Sequence, residues 1–193
     1  MKKLLIPAIF VASLVAPAAV QAQALPAAVI AVVDLDKVTT DCNACKTAAA
    51  ALKSQVSALQ ARETSLEAPI KTEAQSIQTA IDALAGKQRD AALQARVKAF
   101  QTKQQSAATE LGRKQQEIQR NQQYIQQQIG TKLGPIYQQV MQRRGANMMV
   151  EMGSTLATTV AVDVTADVTQ ALNSSLPSLV TTAPAQPQQP QGR

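Results

Sequence analysis

From Leu52 onward the apolar residues advance by fours and threes: Leu52, Val56, Leu59, Leu66, Ile70, Ile77, Ala80 and Leu84, with Glu63 and Glu73 filling the two remaining seam positions. Spacing of this kind lays one apolar stripe along a helix and is the seam pattern of a coiled coil. The two glutamates imply that the packing there is loose or wet. "LAGKQRD", Leu84 to Asp90, breaks the rhythm with Gly86 among charged residues and reads as the tip of a helical hairpin. The rhythm returns at Leu93, Val97, Phe100, Gln104, Ala107 and Leu111 and continues through Ile118, Ile125, Ile129, Leu133, Ile136 and Val140. The stretch "KQQEIQRNQQYIQQQI" is rich in Gln, yet Ile118 and Ile125 stand seven residues apart, which favours helix over a disordered polar tract. Two arms of about 40 to 50 residues, at ~1.5 Å per residue, make a hairpin ~60 Å or more in length. Pro69 lies inside the first arm, where it removes a hydrogen bond and crowds the preceding turn. A bend is expected there, acting either as a hinge or as a fixed kink.

A chain built this way buries little. Its only aromatic residues are Phe10, Phe100, Tyr124 and Tyr137, and Ala, Gln and small aliphatics dominate. Long helices that bury a narrow seam, completed by other chains, suit this composition better than a globular core. The N-terminal stretch "MKKLLIPAIFVASLVAPAAVQA" has Lys2 and Lys3, an apolar run from Leu4 to about Val15, and small residues ending at Ala22. That is the layout of a secretory signal over residues 1–22, with cleavage expected after Ala22 and a second acceptable cut after Ala24. The apolar run is short for the ~20 residues of a spanning helix. Without Lys2 and Lys3, the 19 basic residues fall to 17 against 13 acidic ones. Fifteen of those 17 lie between Lys46 and Arg144, together with seven acids, so the arms are basic and their flanks acidic. A basic surface attracts nucleic acid, anionic lipid or acidic protein, and export leaves nucleic acid as the partner not expected.

Flanking the hairpin, "AAVIAVVDL", Ala27 to Leu35, reads as a buried strand closed by Asp34. "ANMMVEMG" reads as a second strand, and "TLATTVAV", Thr155 to Val162, as a third. Asp163 is a candidate N-cap for "VTADVTQALN", which sets Val164, Val168 and Leu172 on one face. From Pro177 to Arg193 four prolines with Gln and Ser predict a disordered tail. The fold class is therefore α+β. A body from residues 27–41 and 146–174 carries a helical arm over 42–145 with its tip near residue 86. Three strands with few large residues form a weak core, so oligomerisation through this body is expected.

The signal sequence, the strand "IAVVDLDKV", the hairpin of long basic helices, the strand "NMMVEMG" and the closing "VDVTADVTQAL" together resemble the Skp (OmpH) family of periplasmic chaperones. The likeness extends to about Leu172. It implies a homotrimer whose strands assemble into a small β-barrel, with helical arms extending like tentacles around a cavity, a jellyfish outline. It also implies that unfolded outer-membrane β-barrel proteins are held there in the periplasm without ATP or any cofactor. The cysteine pair, Pro69 and the Pro/Gln tail depart from the pattern of the best-known member.

The residues themselves speak against an enzyme. Histidine is absent, which excludes histidine acid-base catalysis, Ser-His and Cys-His pairs and histidine metal sites. No phosphate-binding glycine loop is present. Asp34 and Asp36 lack accompanying catalytic partners and read as the start of a loop. A binding surface fits better: Arg89, Arg96, Lys98, Lys103, Arg113 and Lys114 are candidates for attracting acidic clients and anionic membrane surfaces. The resemblance implies lipopolysaccharide contact for basic arm residues, and the adjacent pair Arg113 and Lys114 is the best positional match. Taken singly, each is also an ordinary solvated helix charge. Two other readings compete, a structural coiled coil serving as envelope spacer or secretion adaptor, and a thiol oxidoreductase.

The last of these rests on "DCNACK", where Cys42 and Cys45 are the only cysteines. Asp41 is a candidate helix N-cap, which places both thiols in the first turn of the arm. A helix N-terminus lowers a thiol pKa, but the order of elements is not the βαβ setting of such redox motifs. A zinc site needs about four ligands and the chain supplies two. A disulfide bracing the root of the arm, free thiols or intermolecular pairing near a trimer axis, and redox or metal roles all remain open readings, with export favouring the disulfide.

Overall fold

The computed structural model describes residues 25–185. The expected signal over residues 1–22 and the end of the tail lie outside the described residues. The chain runs β1 (Ile30–Val33), α1 (Leu35–Asp41), α2 (Asn43–Asp82), α3 (Ala91–Arg144), β2 (Met148–Glu151), two 3-10 turns at Met152–Ser154 and Val160–Val162, and α4 (Thr165–Ser175). It is mostly helical, with two long helices and one two-stranded sheet.

Helices α2 and α3, 40 and 54 residues long, form an antiparallel hairpin. At ~1.5 Å per residue they reach about 60 and 80 Å. Their ends follow from local chemistry. Asp90 caps α3 by accepting from the Leu93 amide at 2.7 Å. The turn before it carries Ala85 and Gly86 at φ +48° and +89°, a left-handed passage that glycine takes at no steric cost. At the other end Gly145, φ +66°, closes α3 with its N–H directed to the Gln142 and Met141 carbonyls, and Arg143 and Arg144 sit in the last turn. There cations oppose the negative end of the helix dipole. Both Pro69 and Pro135 lie within continuous helix. Each removes one backbone donor, so the carbonyl four residues earlier has no helical partner.

The core sits where the roots of the arm meet the body. Val38, Cys42, Val140, Val168 and Leu172 are its fully buried side chains, joined by Ala31, Val33, Leu133, Ile136 and Val164. The expected face of α4, Val164, Val168 and Leu172, is the face that packs here. Strand β1 pairs with β2 in parallel, Ile30 opposite Met148 through Val33 opposite Glu151. Asn147 secures the start of the ladder: its Oδ1 accepts from Val29 N at 2.8 Å and its Nδ2 donates to Ala27 O at 2.7 Å.

Five local expectations are corrected. The run Thr155–Val162 forms no strand; it ends in a 3-10 turn, and only the residue after it, Asp163, makes a parallel bridge to Val32. Branched side chains favour strands only where a neighbouring strand receives them, and beyond the bridge at Val32 the described residues supply none. Asp34 and Asp36 begin a helix, not a loop. Asp34 caps α1 by accepting from the Lys37 amide at 2.8 Å, and Asp36 lies in the first turn. Because α1 absorbs Asp41, the cap of α2 passes to Cys42, whose sulfur accepts from the Cys45 amide at 3.2 Å. Asp163 stands one residue before the cap position of α4 and accepts from Thr165 N at 2.9 Å. The described start of the tail also differs from its composition. Leu176 is buried, Leu179 packs against the core, and the following residues lie along the arm.

Candidate functional site

Two surfaces stand out, one on the arm and one on the body. On the arm, the seam between α2 and α3 opens into a groove of about 390 Å³. Its apolar floor comes from Ala58, Leu59 and Ile118, seam residues or their neighbours, and its polar rim from Arg62, Glu110 and Lys114. Arg62 bonds both carboxylate oxygens of Glu110, Nε at 2.6 Å and Nη2 at 3.0 Å. Nearer the tip Arg96 reaches Glu73 at 2.7 Å and Ser76 Oγ at 2.8 Å. The seam glutamate Glu73 is thus paired across the hairpin. Hydrogen bonds from the arginines hold Glu110 and Glu73 below the usual carboxylate range.

At the root end of the groove, Asn121 is 2 % exposed and donates from Nδ2 to Gln55 Oε1 at 2.8 Å. Its Oδ1 accepts from the Ala183 amide at 2.8 Å. Gln55 Nε2 donates to the Thr181 carbonyl at 3.3 Å. Gln128 makes a reciprocal pair with Val180, donating to its carbonyl at 2.8 Å and accepting from its amide at 3.1 Å. Three side-chain amides therefore hold the backbone of Val180–Ala183. Sequence reasoning missed these residues, although a signal existed: Asn121 lies three residues after Ile118 and four before Ile125, a seam position where a polar side chain needs a partner.

On the body, the uncovered face of the sheet forms an open trough lined by Ile30, Val32, Val150, Ala157 and Val162 among others. Leu156 and Val160 beside it are almost wholly exposed, and Met148 is about half exposed. Scattered exposed apolar residues are ordinary, but a contiguous patch of this kind marks an interaction surface.

The basic residues singled out from sequence are spread along the arm. Arg89 lies in the tip turn, Arg96, Lys98 and Lys103 on the first half of α3, and Arg113 and Lys114 near its middle. Arg96 is committed to Glu73, and Lys114 pairs with Glu117 at 3.2 Å. Arg89, Lys98, Lys103 and Arg113 form no ion pair among the described residues. Cys42 and Cys45 are joined as a disulfide at the first turn of α2, buried against the core. Lys37 and Asp41 form an exposed pair at 2.8 Å just before it, and the hydrogen bond from Lys37 lowers the Asp41 pKa. Among the described residues no group of three or more His, Cys, Asp or Glu side chains could hold a metal, and no helix is long and apolar enough to cross a membrane.

An uneven hairpin of long helices rooted in a small body with an uncovered apolar edge defines a class of architecture. Residues 29–172 match the family described as outer membrane protein (OmpH-like), and the chain belongs to that family. Its fold is similar to the crystal structure of a candidate outer membrane chaperone (OmpH-like) from Caulobacter crescentus CB15, with a TM-score of 0.69. That likeness spans 86 % of this chain and 96 % of the other at 19 % identity, and it speaks to the fold. A search of curated protein sequences returns no match.

Proposed function

We propose that the chain is a periplasmic, ATP-independent holdase that keeps unfolded outer-membrane β-barrel proteins from aggregating before they reach the membrane. The observation that carries this reading is the pairing of a long, sparsely packed basic arm with a body whose apolar edge has no cover. An apolar surface of Ile30, Met148, Leu156 and Val160, exposed in one chain, is buried when further copies of the body close around it. Three copies, with their strands completing one small barrel, would set three arms around a shared cavity. This is the assembly that the family resemblance implies. The segment Thr155–Val162, which lacks a strand neighbour in one chain, would gain one there.

Unfolded barrel proteins expose alternating apolar residues and free strand edges, and they aggregate readily. Holding them takes no single tight site. Several arms offering weak contacts at high effective concentration suffice. The unpaired Arg89, Lys98, Lys103 and Arg113 draw acidic segments toward the arms. Arg113 with Lys114 forms the candidate contact for lipopolysaccharide. The disulfide at Cys42 and Cys45 braces the root of α2, and Pro69 is the place where the arm can flex. The test is light scattering from an outer-membrane barrel protein diluted out of denaturant. Suppression at a stoichiometric amount of this protein supports the holdase. Unchanged aggregation favours a structural coiled coil instead.

A further inference from the structure

The chain leaves α4 at Ser175, turns through Leu176 and Pro177, and runs up the arm as an extended strap from Ser178 to Ala185. Nothing in the strap's own side chains dictates that course beyond Leu179. Val180 is more than half exposed. What holds the strap is backbone recognition. Gln128 reads both polar groups of Val180, Gln55 reads the Thr181 carbonyl, and Asn121 reads the Ala183 amide. These four bonds fall on three of the four residues Val180–Ala183, and none involves a side chain of the strap. The Gln128 pair reproduces with a side-chain amide the reciprocal bonding of a β-ladder. Past Thr182 the groove continues toward the tip over Leu59 and Ile118.

We infer that this groove is a binding site for extended polypeptide backbone, occupied in cis by Val180–Ala183 and given up to a segment of unfolded client. The inference rests on the holdase reading and adds a location and a regulator to it. Three features fit such a role together. Backbone bonds accept any sequence, as a chaperone with many clients requires. The buried Asn121 and its partner Gln55 are positioned by each other, so the reader is preformed on rigid helix. A tethered occupant keeps the buried amides satisfied when no client is present, which avoids the cost of leaving them unpaired. A client must displace the strap, so its apparent affinity falls by the fraction of time that the groove is free.

The test uses the full chain with Val180→Pro and Ala183→Pro, which deletes both strap amides and leaves every groove residue in place. Leu176 and Leu179 are kept, so the body retains its packing. The probe is a fluorescent peptide of residues 178–184, with a second peptide of the same composition in shuffled order. Both peptides should bind the double-proline chain, within a few-fold of each other. They should bind the unaltered chain roughly tenfold more weakly, as expected for a site held mostly in cis. Adding Gln128→Leu to the double-proline chain should weaken both by a similar factor. Circular dichroism, unchanged in all variants, separates these results from unfolding. Equal binding to the unaltered and double-proline chains, or binding to neither, overturns the inference. An unfolded outer-membrane barrel protein should displace the peptide, and one that binds while the peptide stays in place also overturns it. A barrel protein that fails to bind at all counts against the holdase reading, while the peptide titration still decides the groove.

Discussion

Arg62 on α2 and Glu110 on α3 meet side-on across the arm, with both carboxylate oxygens engaged, and nearer the tip Arg96 bonds one oxygen of Glu73 and turns its other donor to Ser76. Both pairs are partly exposed, so each adds little to stability by itself. Their value is in holding the register of two helices whose seam is thin.

These two pairs give the arm a pH dependence with a definite sign. Glu110 and Glu73 titrate below their ordinary values because the arginines favour the charged form. Their contribution is fully present above the unfolded glutamate value of about 4.3 and is lost as pH falls through the lower folded values. Protection of the arm amides, taken relative to the intrinsic exchange rate at each pH, should therefore fall below about pH 4, before the body unfolds. Glu110→Gln together with Glu73→Gln should show the lower protection already at pH 7. Protection that is independent of pH over this range in the unaltered chain would remove the pairs from the account.

The body should be the sensitive half of the molecule. Leu172 has no exposed surface and sits among Val38, Val140 and Val168. Leu172→Ala should cost about 2–5 kcal/mol, as for other buried leucines that leave a cavity. Leu93→Ala, in the half-exposed seam near the tip, should cost clearly less. Thermal denaturation of the two variants checks the contrast.

Leu156→Ser with Val160→Ser should act on assembly and leave the fold of each chain intact, since neither side chain is buried within one chain. Helical content should be retained while the sedimenting species falls from the proposed trimer to the monomer. A double variant that stays trimeric would move the interface away from the sheet edge.

Reducing the Cys42–Cys45 disulfide, or replacing both residues by Ala, should lower stability by about 2 kcal/mol, because the loop it closes is short. The arm helices should persist. Alkylation followed by mass spectrometry of protein taken from the periplasm reads the redox state directly. Two labelled cysteines would remove the brace from the account.

What the sequence made legible follows from where periodicity is strong. The hairpin, its tip at Leu84–Asp90 and the buried face of α4 follow from apolar residues spaced for a helix, and no tertiary contact overrides them. Helix α1 was hidden because "LDKVTTD" is rich in branched residues. The signal that could have found it is Asp34 three residues before Lys37, a cap followed by a first turn. The strand expected at Thr155–Val162 is absent because, among the described residues, no strand lies beside the run to receive its branched side chains. The strap was hidden because Ser178–Ala185 is short and shows no helix or strand period, and the Pro/Gln-rich sequence that follows gives the tail as a whole a disordered composition. Leu176 and Leu179 were the only hint that it packs, and what anchors it beyond them is a set of amides on the arm that no local pattern in the tail reveals.

The central claim is that copies of this chain take up an unfolded barrel protein between their arms. Its most direct test is light scattering coupled to size-exclusion chromatography of the protein alone and after mixing with an outer-membrane barrel protein diluted from urea. The account predicts a trimer that gains the mass of one client and elutes as a single soluble species, weakening as salt is raised because the arms carry the positive charge. A protein that elutes unchanged while the client precipitates would contradict it.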